Sequence, residues 1–281
     1  MTHYILTLQC ADRPGIVRSL AQGIVHANGN IIESAQFSDP ITGQFCMRVR
    51  FECPDNSSKL VRKTIVSELM QYAPALNLRQ AHVPRRALVM VSKHSHCLVD
   101  LLYRREIGDL AIDLPVVVSN HPDLGPLAER HGVPFFHLPV TPETKPVAES
   151  RLRQLVSEYE IDAIILARYM QVLSEPFCND YFGHIINIHH SFLPGFKGAN
   201  PYLRAYERGV KMIGATAHFV TVALDEGPII EQDVVRVSHG KTPEELVALG
   251  RDVERLVLAR AVNLYAQDRL QIAGARTVIF D

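Results

Sequence analysis

The 281-residue sequence predicts an α/β protein of two domains, a small βαββαβ unit followed by a larger unit built on a largely parallel sheet. Three observations carry this expectation. The length suggests two domains at about 100–200 residues each. Up to residue 84, short strands bracket two helices of amphipathic spacing. From residue 85, continuous apolar runs alternate with stretches of helical length, the mark of βαβ units whose sheet is covered on both faces. The expected domains are 1–84 and 85–281, joined at Pro84-Arg85-Arg86.

In the first unit, Tyr4 to Leu8 reads as a strand and Asp12-Arg13-Pro14-Gly15 as a turn into a helix. Ile16, Leu20 and Ile24, spaced by four, put one apolar stripe on that helix, which stops near Asn28-Gly29-Asn30. Ile31 to Phe37 is a second strand. After a turn from Pro40 to Gly43, Phe45, Met47, Val49 and Phe51 alternate with polar partners, as a half-buried strand does. A second helix runs from about Ser57 to Tyr72, with Val61, Ile65 and Leu69 on one face, and Leu76 to Val83 is the closing strand. The order is the split-βαβ, ferredoxin-like arrangement.

In the second unit the expected strands are Ala87–Val91, Pro115–Ser119, Phe135–Leu138, Ala163–Leu166 and Ile185–Ile188. A helix from Pro243 to about Leu264 comes near the end. Ligands of such sheets sit beyond the carboxyl ends of the strands.

A hydrophobic fraction of 47% and a charged fraction of 21% are those of a soluble globular protein. A net charge of −1 gives no basic footprint for nucleic acid. The five cysteines, at 10, 46, 53, 97 and 178, are odd in number and form no Cys-x-x-Cys pair, which argues against a disulfide framework and a closed zinc site. The opening Met1-Thr2-His3-Tyr4 carries no basic segment before an apolar run, and no apolar run approaches the ~20 residues of a membrane helix. The expectation is a cytoplasmic protein with no membrane or nucleic-acid partner.

Two segments carry chemistry. Asn187-Ile188-His189-His190-Ser191-Phe192-Leu193-Pro194-Gly195 follows a buried strand, so Asn187, His189 and Ser191, two apart, point one way if the extended backbone continues. Pro194, Gly195 and Gly198 shape the loop that follows. An amide that donates hydrogen bonds and cannot titrate, beside an imidazole that can donate or switch charge near neutrality, is suited to a carbonyl oxygen gaining negative charge. The second segment is Gly214-Ala215-Thr216-Ala217-His218-Phe219-Val220, then Asp225 in a turn shaped by Gly227 and Pro228. A carboxylate beside imidazoles can take a proton from water and pass it to an amine. Either segment alone also reads as a strand end running into an ordinary turn.

Together, in this order and about thirty residues apart, the segments resemble the folate-dependent formyltransferase family, over roughly residues 87–270. The resemblance rests on Asn187, His189, Ser191, Leu193 and Pro194, then His218, then Asp225. It implies a Rossmann-like domain that binds 10-formyltetrahydrofolate, with Asn187 and His189 polarising the formyl oxygen, Asp225 managing protons, and His218 and Ser191 in support. It also implies that the loop with Leu166, Arg168, Tyr169, Met170 and Val172 faces the pterin. Asp12-Arg13-Pro14-Gly15-Ile16-Val17 and Asn28-Gly29-Asn30-Ile31 resemble an ACT domain, which implies a small amino-acid effector held by Asp12, Arg13, Gly15, Asn28 and Asn30 between paired copies, hence a homo-dimer or homo-tetramer. Gly15 lets the chain approach closely, and helix-start amides near Arg13 would receive a carboxylate. The other reading is an αβ module that only mediates oligomerisation.

Family members that formylate glycinamide ribonucleotide cradle its phosphate on a glycine-rich loop after the first strand. Here that stretch, Val91-Ser92-Lys93-His94-Ser95-His96-Cys97-Leu98, has no glycine, and backbone amides gather round a phosphate best where side chains are absent. Lys93 and His96 are left as anion-holding candidates. The RNA-binding domain of the branch that formylates initiator tRNA is not expected after residue 281. The expectation is therefore hydrolysis of 10-formyltetrahydrofolate to formate and tetrahydrofolate, with no metal and no cofactor. The alternatives are formyl transfer to a small amine such as glycinamide ribonucleotide, and a non-catalytic amino-acid sensor on a dead scaffold.

Overall fold

The computed structural model describes residues 1–54, 58–195 and 201–280; Ser57 and Gly198, named above, lie outside these. The chain divides into two units, one of residues 1–84 together with those from Gln267 on, the other Arg85–Ala266.

The first unit contains β1 (Thr2–Ala11), α1 (Ile16–His26), β2 (Asn30–Asp39), β3 (Gln44–Cys53), α2 (Ser58–Leu69, continued by a 3₁₀ turn to Tyr72) and β4 (Ala75–Gln80). The strands form an antiparallel sheet in the order β2-β3-β1-β4. Alternate residues Tyr4, Leu6 and Leu8 of β1 and Phe45, Met47, Val49 and Phe51 of β3 are buried in one core with Ile16, Leu20 and Ile24 of α1 and Val61, Ile65 and Leu69 of α2. The periods read from the sequence thus build the expected βαββαβ unit.

The break between the units falls after Pro84, and the tail from Gln267 groups with the first unit and not with the second. Two further strands belong with the first unit, the antiparallel hairpin of β12 (Leu270–Ala273) and β13 (Arg276–Ile279). Buried Arg48, an unexpected charge in a core strand, explains the attachment: its Nε donates to the Gln267 carbonyl at 3.2 Å, and it pairs with Glu33. Gln271 Nε2 donates to the Met47 carbonyl at 2.9 Å, and Arg79 pairs with Asp268. Side-chain bonds of this kind leave no periodic trace in the sequence.

The second unit runs β5 (Arg85–Val91), α3 (His96–Glu106), β6 (Ile112–Ser119), α4 (Gly125–Arg130), β7 (Phe135–His137), α5 (Lys145–Glu158), β8 (Ala163–Leu166), α6 (Glu175–Asp180), β9 (Ile185–His189), α7 (Pro201–Arg208), β10 (Met212–Phe219), β11 (Ile229–Arg236) and α8 (Pro243–Ala266). The sheet order is β11-β10-β9-β8-β5-β6-β7. β7, β6, β5, β8 and β9 are parallel, while β10 and β11 are antiparallel additions on one edge. Leu88, Met90, Val116, Val118, Ile164 and Leu166 bury one sheet face against Leu152 and Leu155 of α5 and Phe177 of α6. This is the expected mixed α/β unit with a mostly parallel sheet.

Candidate active site

Register places the first three polar residues. β9 pairs with β8 in parallel, Asn187 beside Leu166, and with β10 antiparallel, Asn187 opposite His218 and His189 opposite Thr216. Residues directly opposite on an antiparallel pair have neighbouring side chains. Asn187 Nδ2 accordingly lies 3.1 Å from His218 Nε2. His218 Nδ1 lies 2.8 Å from the Phe219 carbonyl. A carbonyl only accepts, so Nδ1 carries the proton and Nε2 accepts from the amide.

Asp225 comes from the β10–β11 connection, at a positive φ of 57°, a left-handed conformation that Asp tolerates better than most residues. Its Oδ1 stands 3.3 Å from His189 Nδ1 and 3.7 Å from His218 Nε2. Burial alone would push this carboxyl up, but the His189 imidazole at its Oδ1 outweighs it and holds it well below the usual carboxylate range. A depressed value means that the ionised form stabilises the fold above the ordinary carboxylate pKa, and that this contribution is lost as pH falls through the lower folded value. Carbon NMR titration should find Asp225 still ionised at pH 3.8, the ordinary value at which a free aspartate is half protonated.

The turn that presents Asp225 depends on Gly227. A Cβ there would stand 1.7 Å from the Phe219 carbonyl oxygen, the atom that holds His218 Nδ1. The chain also closes here through Phe219 N to the Pro228 carbonyl at 2.9 Å. Gly227→Ala should cost about 1–3 kcal/mol or more of stability, as overpacking does, and should lower activity by displacing His218; thermal melting and turnover of the variant check both.

Asn187, His189, His218 and Asp225 line one cleft, of about 1030 Å³ with its open mouth. Leu166, Arg168, Tyr169, Met170 and Val172 line it too, so the loop after β8 borders the same cleft. Met170 and Val172 are 54% and 59% exposed, and with Val220, Val222 and Leu224 they form an apolar wall open to a ligand. Tyr169 is pushed up to about 12 by burial. The loop is pinned by Met170 N donating to Ser92 Oγ at 2.9 Å, which donates to Asn120 Oδ1 at 2.6 Å. His189 Nε2 is buried with no hydrogen-bond partner among the described residues.

Three expectations change. Ser191 does not converge with Asn187 and His189, because β9 ends at His189; its hydroxyl donates to the Gly195 carbonyl at 2.9 Å, bracing the loop. His96 is not free to hold an anion: its Nε2 is 2.7 Å from Glu254 Oε2. Lys93 is exposed and does not line the cleft. In the first unit, Asp12, Arg13 and Gly15 precede α1 and Asn28 and Asn30 follow it, so 11 helical residues, about 16 Å at 1.5 Å each, keep these groups from meeting within one chain. Gly15 itself is at φ 96°, where a Cβ would meet Tyr72 Oη at 2.6 Å.

The sequence reading missed a buried polar cluster beside the cleft. Glu254, 1% exposed, accepts from Tyr202 Oη at 2.5 Å and pairs with His96 and, at 3.5 Å, with Arg168 Nε. Burial would raise the Glu254 carboxyl, but His96, Arg168 and Tyr202 together lower it. His190 lies between His189 and Tyr202, its ring tilted to both with centroids 5.1 and 6.1 Å away; burial, then the Arg168 charge and His189, push it down to about 3, so it is neutral. The available signal was Glu254 itself, a carboxylate four residues from both Gly250 and Leu258 on the buried face of α8. His96, Cys97 and Glu254 also bring ligand atoms within 4.8 Å of one another, but Arg168 already neutralises the carboxylate and burial pushes the Cys97 thiol well up, which opposes a divalent ion.

Residues 85–262 match the formyl transferase family model. The chain is 48% identical over 280 residues to a formyltetrahydrofolate deformylase of Synechocystis, covering 98% of this chain and 97% of that one. This chain belongs to the formyltetrahydrofolate deformylase family. The crystal structure of a formyltetrahydrofolate deformylase from Burkholderia mallei superposes with a TM-score of 0.96 at 43% identity, covering all of both chains. A glycinamide ribonucleotide transformylase from Symbiobacterium toebii, at 34% identity and a TM-score of 0.67, covers 73% of this chain and 98% of its own. Deformylase relatives thus share both units, and the transformylase shares less of the chain. Among the described residues no helix is long and apolar enough to cross a membrane.

Proposed function

We propose that this chain hydrolyses 10-formyltetrahydrofolate to formate and tetrahydrofolate at the Asp225 cleft. The observation that carries the reading is the meeting of one carboxylate, two imidazoles and one amide against an apolar wall. The pterin lies along Met170, Val172 and Val220. Ionised Asp225 takes a proton from water as the water oxygen bonds to the formyl carbon. Asn187 spends one amide proton on His218 and offers the second to the developing oxyanion. His189, oriented by Asp225 at Nδ1, presents its imidazole to the same oxyanion. The C–N bond then breaks as the proton held by Asp225 reaches the folate nitrogen. No metal or organic cofactor enters these steps. Purified protein given 10-formyltetrahydrofolate in amine-free buffer should release tetrahydrofolate catalytically; turnover only with an added amine would favour transfer instead.

The N-terminal unit is in this reading an ACT-type sensor of a small amino acid, in a cytoplasmic homo-oligomer. Its βαββαβ order and the Gly15 turn support this. Since the two ends of α1 stand apart, the effector pocket needs a paired copy. Calorimetric titration with single amino acids, at protein concentrations above and below dimer dissociation, tests it.

A further inference from the structure

An amine attacks a formyl carbon more readily than water does, so a hydrolase of an N-formyl donor has to keep amines out. We infer that Arg168, seated on Glu254 beside His96 and Tyr202, fills the side of the cleft from which an amine would reach the formyl carbon, and so makes water the acceptor. The inference rests on the hydrolytic reading above.

The carboxyl ends of β5, β8 and β9 share one edge of the sheet. Asn187 and His189 stand at the end of β9, Arg168 two residues past the end of β8, and His96 on the segment after β5. The cleft therefore has two unlike flanks. One is the open apolar wall of Met170, Val172 and Val220; the other is Arg168 and His190, both lining the cleft. Behind that second flank there is no room for a guest: Arg168, Tyr202 and Glu254 are 9%, 8% and 1% exposed. Both Glu254 oxygens are taken, one by Tyr202 and one by His96.

Arg168 holds this place against its own preferences. Its φ is 65°, a backbone conformation that glycine adopts freely and arginine only with strain. Two of its nitrogens, Nε and Nη1, are buried without a hydrogen-bond partner among the described residues. Strained conformations that persist point to a role for the side chain so held. Here its bulk stands in the cleft beside His190, whose ring lies against His189.

Opening the space would allow the amine nitrogen to bond to the formyl carbon while Asp225 takes the amine proton. The bond from carbon to the folate nitrogen would break as that proton is delivered there, giving an N-formyl amine and tetrahydrofolate. The test is the partition of the formyl group in the presence of glycinamide, a primary amine of low basicity. Formate and N-formylglycinamide are measured by mass spectrometry for the wild type, Arg168→Gly and Arg168→Leu. The wild type should give formate with only background amide. Arg168→Gly, whose backbone suits the site, should raise the amide share at least tenfold, increasing with amine concentration; Arg168→Leu, which keeps bulk, should stay near the wild type. A folded Arg168→Gly with the wild-type partition overturns the inference. So does a folded, folate-binding Arg168→Gly that yields neither product, because Arg168 would then serve the chemistry. If Arg168→Gly does not fold, His96→Ala opens the space beside Arg168 and Glu254 from the start of α3 and is read by the same outcomes. No formate from the wild type sinks the hydrolytic reading itself, a separate result.

Discussion

Asp225→Asn is expected to lower kcat for formate release by about 10²–10⁴-fold, the range that a positioned general base supplies. The substitution keeps shape and the left-handed turn at φ 57°, which Asn also adopts. It removes the one group that can accept the water proton, and it replaces the acceptor for His189 Nδ1 at 3.3 Å. The apolar wall of Met170 and Val172 is untouched, so KM should change little. A loss confined to kcat is the expected signature, and the melting temperature should fall as the stabilising ionised carboxylate is lost. Near-normal formate release by a pure Asp225→Asn preparation would remove the carboxylate from the mechanism.

Asn187→Ala should cost ~2.7–4 kcal/mol of barrier, about 10²–10³ in kcat, the usual effect of deleting one oxyanion donor. The amide contributes only when charge develops, so kcat and kcat/KM should fall together. The same change strips His218 Nε2 of its donor at 3.1 Å, in a ring that is 2% exposed. Since leaving a buried polar atom unpaired costs about 1–3 kcal/mol, a lower melting temperature should accompany the kinetic loss. His218→Ala separates the two effects: it removes the imidazole while leaving the amide free, and should cost less in kcat than Asn187→Ala.

Much of this was legible in the sequence because strand and helix periods carry it. The 1–84 unit follows from alternation in β3 and four-residue spacing in α1 and α2, and β5 to β9 from apolar runs. Asn187, His189, His218 and Asp225 were legible as types, and the register of β9 against β10 then brings them together. What was hidden depends on contacts between distant residues. The attachment of β12 and β13 hangs on Arg48 and Gln271, and no local pattern announces a buried arginine's partner. The polar cluster on Glu254 joins residues 96, 168, 202 and 254, each unremarkable in its own segment. Ser191 was misplaced because side-chain alternation holds only while the strand lasts, and β9 ends at His189.

The most direct test of the central claim is to trace the acceptor oxygen. In a single turnover of 10-formyltetrahydrofolate in ¹⁸O-water without amine, each tetrahydrofolate formed should be matched by one formate carrying one heavy oxygen. Tetrahydrofolate without labelled formate, or no turnover until an amine is supplied, would contradict hydrolysis at the Asp225 cleft.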